Sequence, residues 1–478
     1  MVKEDKQGLT VSREKDFSEW YQQVVLKADL AEYSPVKGCM IIKPAAYAVW
    51  QSIQDYFNVR LKKLQVKNAY FPLFIPESFF KREAAHAAGF KPEVAWIANR
   101  DESSDRLAVR PTSETIIYDA YARWVRSHRD LPLRINQWAN IVRWETKQTR
   151  LFLRTREFLW QEGHCVYASE KECVKETRLF LDEYAELCKE LLALPVIQGR
   201  KTDSEKFAGA LYTTTIESIM PDGKSLQCGT SHNLGQGFAQ AFNISFLGDD
   251  EKSHVPWQNS WGISTRLIGA MVLMHSDDKG LVLPPRVAVN KVVIVPILFD
   301  KDRDKVLAVA QDVAKSLKSF DVIFDDRDGY SPGWKFNDHE LKGIPLRVEI
   351  GPKDVAAGHV VLVRRDSGKK EVVKLDKVKV RVGELLEEMH QDMFVKAQKW
   401  LDDAVVIVES LGEVSKVVEG KKVVSLWFCG AAHCESVMSE KFPGVKSICI
   451  PFVQKKGSGK CVVCQSLCSE RTLFGRSY

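Results

Sequence analysis

The chain contains neither a GxxxxGKS nor a GxxxxGKT segment, so the strand–loop–helix cradle that P-loop proteins build around phosphates is closed to it. Arginine is instead concentrated in IVRWETKQTRLFLRTREFLWQEGH (141–164), which carries Arg143, Glu145, Arg154, Thr155 and Phe158. A further arginine, Arg266, stands far downstream in SWGISTRLIGAMV (260–272). Arginine is always charged and presents a planar fork of donors, so it suits phosphate oxygens better than lysine does. Fixed arginines of this kind can hold a nucleoside triphosphate and draw on its phosphates without a P-loop. Taken singly, Arg143–Glu145 and Arg154–Glu157 read as ordinary surface ion pairs. The pattern gains weight only from its neighbours.

A length of 478 residues suggests about three domains. Apolar and charged contents are those of a soluble globular protein, and no apolar run is long enough to cross a bilayer. The N-terminus, MVKEDKQGLTVSREKDF, is charged and lacks an apolar h-region, so a cytoplasmic location is expected rather than secretion. The 11 cysteines fit reduced thiols or metal ligands better than disulfides in such a chain. A net charge of +6 is compatible with a polyanionic partner without requiring one.

Along the chain, an arm and first helix fill 1–34, a helical pattern covers Pro44–Leu64, and NAYFPLFIP (68–76) reads as a strand. Residues 107–150 alternate strand, helix and strand. Residues 169–194 form an amphipathic helix that opens on a capping-box pattern, Ser169 to Glu172. A boundary falls at 281–290. Beyond it, alternating strands and helices indicate a compact α/β unit, followed by a helix at 380–405 and a cysteine-bearing unit from about 410. The expected division is 1–285, 286–400 and 405–478.

Several segments carry candidate chemistry. In RPTSETIIY, Thr112 and Glu114 stand at a strand-to-helix corner. They either cap the helix or, as hydroxyl and carboxylate, hold the ammonium of an amino acid. In LWQEGH, Trp160, Glu162 and His164 follow the arginines; with Phe207 of KFAGALYTT the aromatics are either core or the wall of a small apolar pocket. KSLQCGTSHNLGQGF (224–238) is either a polar hairpin or loop, or a ligand-lining segment supplying Gln227, Thr230 and His232. Cys429 and Cys434, then Cys461 and Cys464, give C-x4-C and C-x2-C with 26 residues between, a spacing suited to a structural tetrathiolate zinc site. Cys449, Cys468 and His433 stay open as alternatives. The stretch 325–355, with Glu340, Arg347, Lys353 and Asp354, is either a solvated charged face or a surface that reads single-stranded RNA.

Taken in this order, the segments resemble class II aminoacyl-tRNA synthetases, and most closely prolyl-tRNA synthetases of the archaeal and eukaryotic kind. RLKKLQVKNAYFPLFIP resembles motif 1, with Pro72 as its proline; IVRWE resembles motif 2 and SWGISTRLIGAMV motif 3. RPTSET, LWQEGH, QCGTSHNLGQ and GWKF…ELKGIPLRVEIGPKD are similar to segments of the proline enzymes, and Gly475–Tyr478 resembles the family's closing tyrosine. The resemblance implies an α+β catalytic domain with an antiparallel sheet, then an α/β anticodon-binding domain and a small zinc-binding α/β C-terminal domain. It implies ATP-dependent ligation of L-proline to tRNA(Pro) through prolyl-adenylate, and a homodimer. Thr112, Glu114 and His232 would hold proline, with Arg143 on its carboxylate. Trp160, His164 and Phe207 would wall its ring, and Glu162 belongs to the same set. ATP would meet Arg143, Glu145, Arg154, Thr155, Gln227, Thr230, Ser264 and Arg266, with Phe158 stacked on adenine and Gln227 touching Mg²⁺. Arg143 and Arg266 would be catalytic, and Glu340, Arg347, Lys353 and Asp354 would read the anticodon. His164 to Trp257 leaves no room for the editing insertion of bacterial-type relatives. A pocket that selects by size separates neighbours by only ~1–3 kcal/mol per methylene, so some charging with alanine or cysteine is expected. Enzymes for threonine, glycine or histidine, and a non-catalytic tRNA-binding relative, share parts of this pattern.

Overall fold

A computed structural model describes residues 8–84, 93–98, 105–144 and 149–478. Within them, strands Ile197–Arg200, Tyr212–Ile219, Ser225–Gly235, Trp257–Ser264, Glu157–Tyr167 and Leu133–Val142 lie side by side in that order, all antiparallel. Side chains on a strand alternate between faces, and the sequence uses this. Cys165, Tyr167, Trp261 and Ile263 point into a core built with helices Pro44–Lys63, Glu170–Leu192 and Arg266–His275. Trp160, Glu162, His164, Ser260 and Ser264 point to the other face and line a cavity. In the core, Trp261 stacks on Phe180 with ring centroids 3.9 Å apart, a contact worth ~0.5–1.5 kcal/mol beyond burial. The indole can lie there because its cross-strand partner is Gly163; a Cβ on Gly163 would fall 2.0 Å from the ring. Gly163→Ala would therefore push the two strands apart.

The helix Glu170–Leu192 has the capping box read from its sequence: the Glu172 amide donates to Ser169 Oγ at 3.3 Å, and the Ser169 amide donates to Glu172 Oε2 at 3.2 Å. Two expectations differ from the structure, and a third reading is narrowed by it. The strand read at 68–76 is split into Lys67–Asn68 and Phe74–Pro76; Pro72 lies between them and has no N–H for a ladder. The helix after RPTS, expected over ETIIYDAYARWVRSH (114–128), stops at Trp124, because Val125 is already extended. The segment 224–238, for which a loop was one reading beside a hairpin or a ligand-lining segment, holds a full strand, Ser225–Gly235, hairpinned to Tyr212–Ile219 at the centre of the sheet and bulged between Gln227 and Gly229.

Residues 292–374 form a separate five-stranded sheet. Val322–Phe324, Val292–Pro296 and Leu346–Ile350 are parallel, and His359–Arg364 and Lys370–Lys374 are added antiparallel. The long helix Val378–Ala404 then returns to the first unit, where Trp400 Nε1 donates to the Ile219 carbonyl at 2.9 Å. The last unit places Val405–Ile407, Val423–Trp427, Arg471–Gly475 and Lys446–Pro451 in one sheet, and Lys446–Pro451 pairs with Ile197–Arg200. The sheets of the first and last units are thus one, a join that no pattern in the sequence marks. Among the described residues, no helix is long and apolar enough to cross a membrane.

Candidate active site

The cavity, of about 300 Å³, is built on a grid of cross-strand partners. His164 faces Ser260, which faces His232, which faces Thr213. One step along, Glu162 faces Gly262, which faces Thr230; another step along, Trp160 faces Ser264. Thr112 and Glu114 arrive from the start of helix Glu114–Trp124, and Arg266 from the start of helix Arg266–His275. Of the residues singled out in the sequence, Thr112, Glu114, Arg143, Phe158, Trp160, Glu162, His164, Phe207, Gln227, Thr230, His232, Ser264 and Arg266 all line it. Arg154 and Thr155 do not. The Thr155 hydroxyl instead donates to the Glu157 carbonyl at 2.7 Å. Glu145 lies outside the described residues.

The floor is a buried polar network. Glu162, 3 % exposed, accepts from Ser113 Oγ at 2.5 Å and Gln137 Nε2 at 2.8 Å, and its second oxygen meets His164 Nε2 at 3.0 Å. The other nitrogen of His164 meets the Tyr118 hydroxyl at 3.1 Å. Burial alone would raise the Glu162 pKa, but His164, Ser113 and Gln137 outweigh it and hold the carboxyl below its usual range. The capping alternative for RPTSET is not what forms: Ser113 occupies the N-cap position without a side-chain cap bond, its hydroxyl being turned to Glu162. Thr112 Oγ1 donates to Glu114. His232 sits between Thr213 Oγ1 (2.9 Å) and Thr230 Oγ1 (3.0 Å). Burial, aided by His164, lowers its pKa to about 3, so it is a neutral imidazole at physiological pH.

The walls are cationic and aromatic. The Arg143 guanidinium lies 5.7 Å from the Phe158 ring and 5.8 Å from that of Trp160, and its Nε donates to the Pro111 carbonyl at 3.2 Å. Arg266 Nε donates to the Leu153 carbonyl at 3.1 Å. Burial lowers its pKa, with Arg143 and Arg154 acting in the same direction. The ring of Phe207 lies 4.8 Å from that of His232. Such an enclosure can take a small apolar ring at one end and a polyanion at the other.

Glu205, Thr213, Cys228, Gly229, Ser260, Trp261, Gly262 and Ile263 also line the cavity and were missed in the sequence. Alternation would have found two of them, since Ser260 and Gly262 share a face with Ser264. Ser260 Oγ has no hydrogen-bond partner among the described residues. Tyr478 does not line the cavity; its hydroxyl donates to Asp222 Oδ2 at 2.8 Å.

The proposed RNA-reading set divides in two. Arg347 pairs with Glu340 at 2.9 Å and with Glu349 at 2.9 Å. Asp354 instead caps its own helix through the Gly351 amide (2.8 Å) and meets His359 Nε2 at 3.0 Å, with Lys353 beside it in the first turn. The four sulfurs of Cys429, Cys434, Cys461 and Cys464 lie within 4.8 Å of one another, with 3.5 Å between Cys429 and Cys434 and 3.7 Å between Cys464 and Cys429. A tetrahedral zinc with Zn–S bonds of about 2.3 Å sets its sulfurs roughly 3.8 Å apart, so this cluster fits the ion. Cys449, Cys468 and His433 stand outside it.

Arg143, just past strand Leu133–Val142, and Arg266, which opens helix Arg266–His275, meet at a cavity on the face of an antiparallel sheet, an arrangement that fits the core of a class II aminoacyl-tRNA synthetase. Residues 90–275 match the family model for the tRNA synthetase class II core domain (G, H, P, S and T). Residues 291–385 match an anticodon binding domain, and 411–478 match the prolyl-tRNA synthetase C-terminal domain. A proline–tRNA ligase of Lachnoclostridium phytofermentans is 48 % identical over 98 % of both chains. A putative proline–tRNA ligase of Saccharomyces cerevisiae is 44 % identical over 98 % of this chain and 73 % of its own. The crystal structure of prolyl-tRNA synthetase from Cryptosporidium parvum with halofuginone and AMPPNP superposes with a TM-score of 0.93 at 39 % identity, covering 99 % of this chain and 98 % of that one. The chain belongs to the prolyl-tRNA synthetase family.

Proposed function

We propose that the cavity joins L-proline to tRNA(Pro) at the expense of ATP, in two steps. The proline carboxylate attacks the α-phosphorus in line, pyrophosphate leaves, and prolyl-adenylate remains. A ribose hydroxyl of the tRNA's terminal adenosine then attacks the prolyl carbonyl, and AMP leaves. The observation that carries this reading is the convergence of Arg143 and Arg266 on the same small cavity as Trp160, His164 and Phe207. No side-chain nucleophile is needed. The rate comes from positioning and from donors aimed at the charge growing on phosphate oxygens.

In this reading Thr112, Glu114 and His232 hold the proline amine end and Arg143 its carboxylate. Trp160, His164 and Phe207 wall the ring, with Glu162 fixing His164. A neutral His232 suits this task, because it adds no charge to repel the proline ammonium. Phe158 stacks on adenine, while Gln227, Thr230, Ser264 and Arg266 meet the nucleotide; Arg154 and Thr155, outside the cavity lining, and Glu145 are assigned to ATP from the sequence resemblance. AMPPNP in the Cryptosporidium parvum structure supports an ATP site. Magnesium bound beside Gln227 would supply neutralisation of phosphate charge. Zinc on the four cysteines would hold the C-terminal unit together.

The same reading assigns 1–285 to catalysis, 286–400 to the anticodon and 405–478 to the zinc unit, and Glu340, Arg347, Lys353 and Asp354 to anticodon bases. It takes the chain as a cytoplasmic homodimer of the archaeal and eukaryotic kind. Support for the subtype is that residues between His164 and Trp257 are filled by helices Glu170–Leu192 and Gly237–Ala241, strands of the main sheet and the small antiparallel pair Phe246–Leu247 and Ser253–His254, with no inserted domain. The test is to incubate the protein with proline, ATP and a tRNA(Pro) transcript, with a non-cognate tRNA beside it. Prolyl-tRNA and AMP should form only with tRNA(Pro); formation of neither would refute the reading.

A further inference from the structure

The C-terminal unit grips the segment that carries Phe207. Ile450 pairs with Arg200, and Pro451 with Gly199. The approach is close: a Cβ on Gly199 would lie 2.6 Å from the Ile450 carbonyl oxygen and 2.8 Å from Cys449 Sγ. Just past this joint, Lys201 Nζ donates to the Ile448 carbonyl at 2.8 Å, and Thr202 Oγ1 shares a hydrogen bond of 2.9 Å with Ser447 Oγ. Both hydroxyls are buried, at 3 % and 8 % exposure. The Thr202 carbonyl in turn accepts from the amides of Glu205 (3.2 Å) and Lys206 (3.0 Å). The turn that delivers Phe207 therefore starts at Thr202. At its far end the Phe207 amide donates to Thr213 Oγ1, the same hydroxyl that meets His232.

We infer that the Thr202–Ser447 clasp positions the Phe207 wall, so that the C-terminal unit tunes proline binding through residues 202–207. The inference rests on the proline-pocket reading above. A surface turn held at one end only is mobile, and a mobile wall weakens binding in proportion to the time it spends displaced. ATP, whose assigned contacts are the strand residues Phe158, Gln227, Thr230 and Ser264 together with Arg143, Glu145, Arg154, Thr155 and Arg266, meets no residue of this turn. Thr202 and Ser447 are positioning residues, since neither lines the cavity.

The test is steady-state ATP–pyrophosphate exchange on Thr202→Val, Ser447→Ala, the double variant and Thr202→Ser, beside the parent. KM for proline should rise roughly three- to tenfold in either single variant, as loss of one buried hydrogen bond allows, with KM for ATP unchanged. The double variant should be no worse than the larger single effect, and Thr202→Ser should restore the parent value. A merely structural bond would lower the unfolding temperature and leave KM alone. KM for proline within about 1.5-fold of the parent in Ser447→Ala, which lies outside the turn, overturns the inference. So does a parallel rise in KM for ATP, or a double variant whose effect is the product of the singles. A parent chain without proline-dependent exchange removes the pocket reading and the clasp with it; normal parent exchange with unmoved variants removes the clasp alone.

Discussion

Replacing Arg266 by glutamine separates the catalytic account from a structural one. Arg266 reaches the cavity from the start of helix Arg266–His275, with Nε held by the Leu153 carbonyl at 3.1 Å and Nη1 3.4 Å from the Gln227 carbonyl. Among the described residues no carboxylate forms an ion pair with it, and Arg143 and Arg154 press on it with like charge. Such a cation is costly to keep in a low-dielectric site. Removing the charge relieves that cost, while the two carbonyls lose at most about 0.5–1.5 kcal/mol each. These effects oppose one another, so stability should change by no more than about 1 kcal/mol, a shift of roughly 2–4 °C or less for a domain of this size. Catalysis has no such compensation. Loss of a preorganised donor on developing negative charge costs about 2.7–4 kcal/mol, or roughly 10²–10³ in rate. The assay is proline-dependent ATP–pyrophosphate exchange, run beside thermal unfolding. A variant that keeps the parent rate, or one that loses rate only as far as it unfolds, would refute the reasoning.

Other perturbations test separate parts of the structure. Trp160→Ala should raise KM for proline by roughly tenfold or more, the equivalent of about 1.5–3 kcal/mol of lost ring burial, with KM for ATP little changed; equal rises in both would contradict the wall assignment. Cys434→Ser should abolish a stoichiometric zinc signal and lower the unfolding temperature of the C-terminal unit, whereas metal-free parent protein of full stability would show that the thiols are unliganded. Stability should fall on acidification. Burial holds His232 at about 3 and His275 at about 4, against an ordinary value of 6.5. The unfolded chain therefore binds protons below pH 6.5 that the folded chain refuses, and stability drops through that window. Glu162, held below 4.5, adds a further loss as pH falls through its lowered pKa. A thermal unfolding series from pH 7 to 4 checks this, and a flat profile would contradict it.

How far the site was legible follows from what each residue does. Trp160, Glu162 and His164 alternate on one strand, so a short sequence motif already held a piece of the cavity wall. Phe207 and His232 come from segments with their own recognisable composition. Thr213 and Glu205 were not legible, because each is a cavity residue only through cross-strand register and the path of a turn. RPTSET left helix capping open beside an amine site, since serine or threonine before a helix usually caps; only the tertiary position of Glu162 turns the Ser113 hydroxyl away. Asp354 read as a base reader; that its carboxylate also caps its own helix through the Gly351 amide was not legible, because that bond depends on where the helix starts. The four-cysteine cluster was legible because cysteine spacing is a local signal. The joint between Lys446–Pro451 and Ile197–Arg200 was not, because backbone pairing between units leaves no periodic trace.

The measurement that bears most directly on the central claim is ATP–pyrophosphate exchange with proline, cysteine, alanine, threonine, glycine and histidine, run side by side with Mg²⁺ and zinc supplied. Exchange driven best by proline, with alanine and cysteine weaker but measurable, is the predicted result. Exchange driven best by another amino acid, or by none of them in folded protein, would contradict the account.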